Sequence, residues 1–188
     1  MEKPLRMKGL RPILIIMLSL VVVQCQEPPA RRAVNKKQQF FLNQSAQRNK
    51  SRIAVEQRLF EQIRKAEPER NYTNSNKGFW FTILENQNAS SPLPQKGEEV
   101  VLSYRIEDLS KNVLYDEKEL GEVRFLVDQE DFLPALREAA KVLRVGQKAV
   151  FLFPSYLCYG YQGDFDKIGS NQPLRFTIKL VSLSKFKT

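Results

Sequence analysis

The stretch from Asp131 to Phe176 constrains the fold of this chain more than any other. It combines an apolar helical pattern at 131–142, an apolar strand at 147–153, and a long loop that carries Tyr159 beside a glycine. A helix with so apolar a surface must lie across a sheet. A loop of this length inside a compact domain is more often functional than a simple connection. The stretch therefore predicts an apolar pocket with one hydroxyl at its rim, which suits an uncharged ligand.

Strand patterns lie on both sides of this stretch. They are runs of aromatic and β-branched residues, or of alternating apolar and polar residues. Six extended segments are predicted, at 78–84, 99–106, 113–116, 122–127, 147–153 and 174–183. With one helix among them, residues 78–188 are predicted to form an α+β domain.

The first 25 residues have the pattern of a signal peptide. A basic start is followed by an apolar run at 12–23 and by Cys25. This run is shorter than the roughly 20 residues that a spanning helix needs, so a permanent transmembrane anchor is disfavoured. The pattern resembles a bacterial lipoprotein signal, whose cysteine becomes acylated, and predicts a membrane-anchored lipoprotein of the cell envelope that faces the periplasm. Because Gln24 stands where such signals usually have a small residue, an uncleaved short anchor and a plain secretory signal remain alternatives.

Three segments are predicted between the signal and the domain. Residues 26–44 are basic and polar and predict a tether with weak structure. Residues 45–67 have the composition of an amphipathic helix that ends before Pro68, and residues 68–77 are a linker. The apolar side of this helix needs a cover. Packing on its own domain, pairing with a second copy in a dimer, and lying on the membrane all remain open.

Charge and composition exclude several functions. The net charge is +9, but residues 76–188 balance fifteen basic against fifteen acidic side chains, so the whole excess lies in residues 1–75. A neutral domain disfavours nucleic-acid binding, whereas a basic amino end fits an anionic membrane surface. The chain has no histidine, which excludes histidine-based catalytic triads and histidine-ligated metals. No cofactor and no metal are expected.

The domain resembles the FKBP-type peptidyl-prolyl cis-trans isomerases across roughly residues 78 to 184. The intervals from Leu136 to Tyr159, Ile168 and Phe176 fit the family without gaps. The other matching positions are Tyr104, Tyr115, Asp116, Phe125, the run 132–136, the run 143–149 and the run 154–160. The resemblance implies an antiparallel sheet of five or six strands, half-wrapped around one short helix, with the pocket between them. With its lipoprotein-like start, the whole chain further resembles the gliding-motility-associated FKBP lipoproteins of gliding bacteria.

The resemblance also implies roles for individual residues. Asp116 would lie near the twisting carbonyl, while the Tyr159 hydroxyl and the Ile168 backbone N–H would donate hydrogen bonds to the ligand. The residues that would line the proline pocket are Tyr104, Tyr115, Phe125, Phe132, Leu133, Leu136 and Phe176. Cys158 is interpreted as a small buried side chain rather than a nucleophile.

Two positions depart from the family pattern. Leu136 stands where active members usually have tryptophan, and Gly121 stands where a basic residue often follows the rim aspartate. Slow isomerase activity is therefore expected, on prolyl-containing proteins of the envelope, including those of a gliding-motility or secretion apparatus. The alternative is an FKBP-like binding or scaffold lipoprotein with weak or no catalysis.

Replacing Cys25 with serine tests the predicted anchor. Acyl chains stabilise membrane attachment by about 0.8 kcal/mol per buried methylene, so their loss should release the protein. Fractionation of cells that produce Cys25→Ser should show the chain in the soluble fraction and the wild type in membranes. Retention of the variant in membranes would favour the uncleaved segment or the helix at 45–67 as the attachment.

Overall fold

The computed structural model describes residues 36–85 and 90–185. The predicted signal at 1–25, with Cys25 and its apolar run, lies outside the described residues. The chain divides into two compact units, of which the first ends at Gln44 and the second begins at Ser45. Among the helices of the described residues, none is both long enough and apolar enough to cross a membrane.

Helix α1 extends from Lys36 to Ala66. It includes residues 36–44, which were predicted as tether. This segment contains neither glycine nor proline, and its glutamine and lysine residues have good helix propensity. In the first unit, Phe40, Phe41 and Leu42 of this helix are exposed. The helix ends two residues before Pro68, in agreement with the stop signal.

An antiparallel sheet is the main feature of the second unit. Within the described residues its seven strands are β1 (Thr73–Asn74), β2 (Trp80–Glu85), β3 (Glu98–Glu107), β4 (Val113–Tyr115), β5 (Glu122–Leu126), β6 (Lys148–Phe153) and β7 (Leu174–Lys185). Their order in the sheet is β1-β2-β6-β7-β3-β4, and β5 also pairs with β3. The predicted α+β class, with an antiparallel sheet and an amino-terminal helix, is confirmed.

Two short elements of the second unit were not predicted. Strand β1 lies in the predicted linker and pairs with β2 over only two residues. Helix α2 (Glu117–Leu120) follows β4, and Asp116 caps it by accepting from the backbone N–H groups of Lys118 and Glu119. Elements of two to four residues show too few repeats for a period to be recognised in the sequence.

Helix α3 (Pro134–Ala140) supplies the central layer of the core. Pro134 stands at its first position, where the fixed φ of proline favours a helix start and its missing N–H costs nothing. The helix buries Ala135, Leu136, Ala139 and Ala140 in one apolar cluster with the inward side chains of β3, β6 and β7. This packing is what closes the domain around the helix.

In the second unit, α1 packs on its own domain, which was the first of the three predicted covers. Phe60 is fully buried. The buried carboxylate of Glu56 accepts the Ser155 N–H at 3.1 Å and the Ser155 hydroxyl at 2.6 Å. Gln57 accepts from the Trp80 indole N–H at 2.8 Å. Helix α1 is therefore tied both to the start of the sheet and to the loop after β6.

Glu67, directly after α1, is the centre of a buried charge cluster. Its carboxylate lies 3.1 Å from Arg175 Nη1 and 2.9 Å from Lys111 Nζ, and it accepts the Tyr72 hydroxyl at 2.8 Å. Burial by itself would raise the pKa of Glu67. The hydrogen bonds from Lys111 and Tyr72 and the charge of Arg175 outweigh this effect and lower the pKa to about 2.

Glu67→Gln tests this cluster through the free energy of unfolding. The folded-state pKa is lowered, so the stabilisation is complete above about pH 4.5 and is lost as the pH falls towards 2. At pH 7 the free energy of unfolding of the variant should be about 3 kcal/mol lower than that of the wild type. This is the low end of the range for a broken buried ion pair, because Glu107 still contacts Arg175.

Urea unfolding of the full chain between pH 2 and pH 7 provides the measurement, with Glu69→Gln as the control. Glu69 is an exposed neighbour whose carboxylate lies 3.8 Å from Arg70. The control should keep the wild-type dependence on pH. An acid dependence that is the same in Glu67→Gln as in the wild type would contradict the assignment.

Candidate active site

The predicted site residues converge around helix α3 from several elements. Tyr104 lies on β3, Phe125 on β5 and Phe176 on β7, and Leu136 lies on the helix itself. All four side chains belong to the apolar cluster. Four further predicted residues are half-buried and pack against it, namely Tyr115, Phe132, Leu133 and Tyr159. The structure therefore brings the predicted apolar set together.

Aromatic rings form the walls of this site. Tyr104 and Phe176 lie nearly parallel with centroids 6.2 Å apart, and Phe125 stacks on Phe132 at 5.0 Å. Phe153, from β6, meets Phe176 edge to face at 5.5 Å. Such ring pairs add about 0.5–1.5 kcal/mol each beyond the area that they bury. These contacts stabilise one packed aromatic cluster, in which Phe125, Phe153 and Phe176 are buried.

Leu136 has no exposed surface. It lies in the first turn of α3, among the rings of the core, at the position predicted to be the floor. Leu133 precedes the helix as its N-cap residue, and its carbonyl accepts from the N–H groups of Leu136 and Arg137. No described residue accepts the N–H of Leu133. A backbone donor at the mouth of the helix is thus available to a ligand.

Tyr159 is half-buried, and no described residue forms a hydrogen bond with its hydroxyl. Burial raises the pKa of Tyr159 well above its ordinary value of 10, and the neighbouring Tyr104, Cys158, Asp164 and Tyr115 raise it further. The hydroxyl is therefore protonated at neutral pH. It is a hydrogen-bond donor in a site of low polarity, where such a bond is strong.

Ile168 and Asp116 have partners within the chain. The buried Ile168 donates its backbone N–H to Asp164 Oδ1 at 2.7 Å, so the loop itself uses the donor that the family resemblance reserves for a ligand. Asp116 Oδ1 accepts the N–H groups of Lys118 and Glu119 at 2.9 and 2.8 Å. Among the described residues, Asp116 Oδ2 has no hydrogen-bond partner.

Two features of the site were not predicted from the sequence. One is the backbone N–H of Leu133, which the motif Leu133-Pro134 could have indicated, because a residue before a helix-starting proline is an N-cap whose own N–H lies outside the helix. The other is Asp164, whose Oδ2 accepts the Tyr115 hydroxyl. An aspartate in a polar loop gives no sequence signal for a partner 49 residues away.

Residues 91–181 match the sequence profile of the FKBP-type peptidyl-prolyl cis-trans isomerase family. The match covers 91 of the 188 residues, and this part of the chain is similar to that family throughout. A curated relative, the probable FKBP-type peptidyl-prolyl cis-trans isomerase FkpA of Neisseria meningitidis serogroup B, is 41% identical over 63 residues. The aligned segment is 34% of this chain and 22% of the relative, so the chain matches about a fifth of that protein's length.

Solved structures share the FKBP fold with this chain. FkpA from Escherichia coli gives a TM-score of 0.57 at 19% identity and covers 93% of this chain and 82% of its own. A peptidyl-prolyl cis-trans isomerase from Pseudomonas syringae pv. tomato gives 0.56 at 19% identity and covers 72% of this chain and 95% of its own. The N-terminal domain of FKBP42 from Arabidopsis thaliana gives 0.50 at 19% identity over 56% of this chain and 86% of its own.

Cys158 directly precedes Tyr159 in the matched segment but is buried as a free thiol. Burial raises the pKa of Cys158 well above its ordinary value, and the negative charge of Glu56 acts in the same direction. Because only the thiolate is a strong nucleophile, the side chain is expected to be inert.

Alkylation of the native chain with iodoacetamide at pH 8 tests this interpretation of Cys158. The peptide that contains Cys158 should remain unmodified in the folded protein and should be alkylated completely in urea, because unfolding returns the thiol to water. Mass spectrometry of that peptide separates it from Cys25. Alkylation of the folded chain as fast as in urea would contradict a buried thiol.

Proposed function

We propose that the FKBP domain catalyses the cis-trans isomerisation of X-Pro bonds. The observation that carries the proposal is the protonated, half-buried hydroxyl of Tyr159 beside aromatic walls that include Tyr104 and Phe176. The family match of residues 91–181 supports the same activity. Proteins that contain X-Pro bonds are the proposed substrates.

The reaction suits a site without an acid-base pair. The planar amide must cross a barrier of roughly 18–20 kcal/mol because resonance gives the C–N bond partial double-bond character. No proton has to be moved for the bond to rotate. An apolar pocket disfavours the dipolar resonance form, and fixed donors stabilise the displaced carbonyl in the twisted state better than in the planar one.

Three groups are proposed to act on the substrate. The Tyr159 hydroxyl and the Leu133 N–H are the donors, and they lie on the loop and at the start of α3 respectively. Asp116 follows β4, and its free carboxylate oxygen is proposed to face the twisting carbonyl carbon and nitrogen. The proline ring is proposed to pack on the rings of Tyr104 and Phe176, above Leu136.

We further propose that the protein is lipid-anchored through Cys25 and faces the periplasm. There it would assist the folding of envelope proteins by accelerating an X-Pro step that otherwise takes tens of seconds. Clients in a gliding-motility or secretion apparatus remain part of this proposal, on the strength of the sequence resemblance alone. The basic amino-terminal segment supports association with an anionic surface.

A binding or scaffold role is the second candidate. It is favoured by Leu136, which offers less ring area than a tryptophan, and by Gly121, which gives Asp116 no basic partner at that position. Helix α1 also exposes Ile53, Val55 and Leu59 although its other side is docked. Pairing with a second copy through residues 45–67 would cover that surface.

A protease-coupled isomerisation assay on the full chain separates the two candidates. The wild type should accelerate isomerisation of a short X-Pro peptide over buffer, though slowly for an FKBP. Tyr159→Phe should lower kcat/KM about tenfold, as expected for loss of one donor that stabilises the transition state, and Asp116→Ala should also lower it.

Tyr161→Phe is the matched control, since Tyr161 lies on the same loop but is 79% exposed. It should leave kcat/KM unchanged. A folded wild-type chain that does not accelerate isomerisation would remove the enzyme and leave the binding role. A comparison in cells adds to this test. If deletion of the domain causes a phenotype and neither Tyr159→Phe nor Asp116→Ala does, the binding role is favoured.

A further inference from the structure

The loop between β6 and β7, residues 154–173, carries Tyr159 and is here named the tyrosine loop. Within it, Asp164 holds the segment 164–168 in a closed turn. Its Oδ1 accepts the backbone N–H groups of Asp166 at 2.9 Å and Ile168 at 2.7 Å, and its own N–H donates to the Ile168 carbonyl at 3.1 Å. Gly163, just before it, has φ +70°, and a Cβ there would lie 2.3 Å from the Ile168 carbonyl oxygen. This part of the loop therefore has one tight conformation.

The same carboxylate joins the loop to the opposite rim of the site. Asp164 Oδ2 accepts the hydroxyl of Tyr115, the last residue of β4. Tyr115 immediately precedes Asp116 in the chain. One side chain thus connects the loop that carries Tyr159 with the strand end that carries Asp116.

Lys167 makes a second connection between the loop and this rim. Its Nζ lies 2.7 Å from Glu119 Oε1 on α2 and 4.3 Å from the centroid of the Tyr115 ring. An ammonium group over a ring face within about 6 Å is attracted by the ring quadrupole. The pKa of Lys167 is raised chiefly by the hydrogen bond with Glu119, and the charges of Asp166 and Asp116 contribute in the same direction. Lys167 is therefore a positive group of the loop that is held at α2, the helix that Asp116 caps.

We propose that Asp164 and Lys167 are positioning residues of the isomerase site. Together with Tyr115 and Glu119 they form a latch that holds the tyrosine loop against the rim formed by β4 and α2. The latch fixes the distance between the Tyr159 hydroxyl and Asp116, and Lys167 places a positive charge at α2, which Asp116 caps. This inference rests on the proposed function of the same site.

The protonation states at neutral pH are the ones that the latch requires. Burial disfavours the charged form of Asp164, but the hydrogen bonds from Tyr115 and from the N–H groups of Asp166 and Ile168 outweigh burial and lower its pKa. The same hydrogen bond, followed by burial, raises the pKa of Tyr115 to about 12. A neutral tyrosine therefore donates to an ionised carboxylate, which is a charge-assisted bond.

Asp164→Ala and Tyr115→Phe, alone and together, test the latch. Each should lower kcat/KM for a short X-Pro peptide, Asp164→Ala by at least about tenfold, because a small misplacement of reacting groups is costly. The double variant should lose less activity than the two single losses combined, since both changes remove the hydrogen bond between Tyr115 and Asp164. Asp164→Asn keeps an oxygen for the two backbone N–H groups. Compared with Asp164→Ala, it should therefore show slower amide hydrogen exchange in residues 160–170 and recover part of the activity. Lys167→Met should lower kcat/KM while leaving that exchange slow.

Asp108→Ala is the matched control. Asp108 organises the turn after β3 in the same manner, because its Oδ1 accepts the N–H groups of Ser110 and Asn112 at 2.8 and 2.9 Å. Among the described residues, its side-chain hydrogen bonds stay within this turn. It should lower stability and leave kcat/KM near the wild-type value. If Asp164→Ala does not fold, Asp164→Asn and Tyr115→Phe carry the test.

The failures of the two proposals are distinguishable. A folded wild type that gives no acceleration contradicts the isomerase function. The latch alone is contradicted if the wild type is active and Asp164→Ala has the same kcat/KM as the wild type. It is also contradicted if Asp164→Ala loses no more kcat/KM than Asp108→Ala does. Additive losses in the Asp164→Ala, Tyr115→Phe double variant would also overturn it.

Discussion

The burial of α3 against the sheet is the constraint on which the rest of the domain depends. Leu136 and the alanines of this helix fill the space between the rings of Phe153, Phe176 and Tyr104. Because an interior is packed as densely as an organic crystal, these contacts fix both the helix and the inner surfaces of β3, β6 and β7. The same rings form the walls of the proposed proline site. Stability and the proposed function therefore use one set of side chains.

Polar connections join α1 and the loop between β6 and β7 to this core. Glu56 binds the loop after β6 through Ser155, and Glu67 joins the end of α1 to Arg175 on β7. Asp164 does the same for the tyrosine loop through Tyr115. Each connection uses a carboxylate that accepts more than one donor, which is the arrangement that allows such a group to be buried. The long loop is thus held at its start by Ser155 and near its middle by Asp164.

The sequence predicted the apolar part of this arrangement and missed most of the polar part. Periodic apolar residues indicate strands and helices, so the six longer strands and α3 were predictable. The convergence of Tyr104, Leu136 and Phe176 was implied by the family resemblance. The partner of a single aspartate depends on three-dimensional proximity, and no local pattern encodes the pairing of Asp164 with Tyr115. The start of α1 was missed for a related reason, since a polar segment without an apolar period gives only the weak signal of propensity. The Ile168 N–H, expected to serve a ligand, donates to Asp164 instead, whereas the N–H of Leu133 has no acceptor among the described residues.

The central claim is that a prolyl segment binds between α3 and the tyrosine loop, with donors from both. Titration of the ¹⁵N-labelled full chain with a short X-Pro peptide, followed by amide chemical shifts, tests it most directly. The account predicts a large shift of the Leu133 amide as it gains an acceptor, with shifts for Tyr104 and Tyr159, and a small change at Ile168, whose N–H already has one. Shifts confined to the opposite face around Arg175, or a saturable shift at Ile168 with none at Leu133, would contradict it.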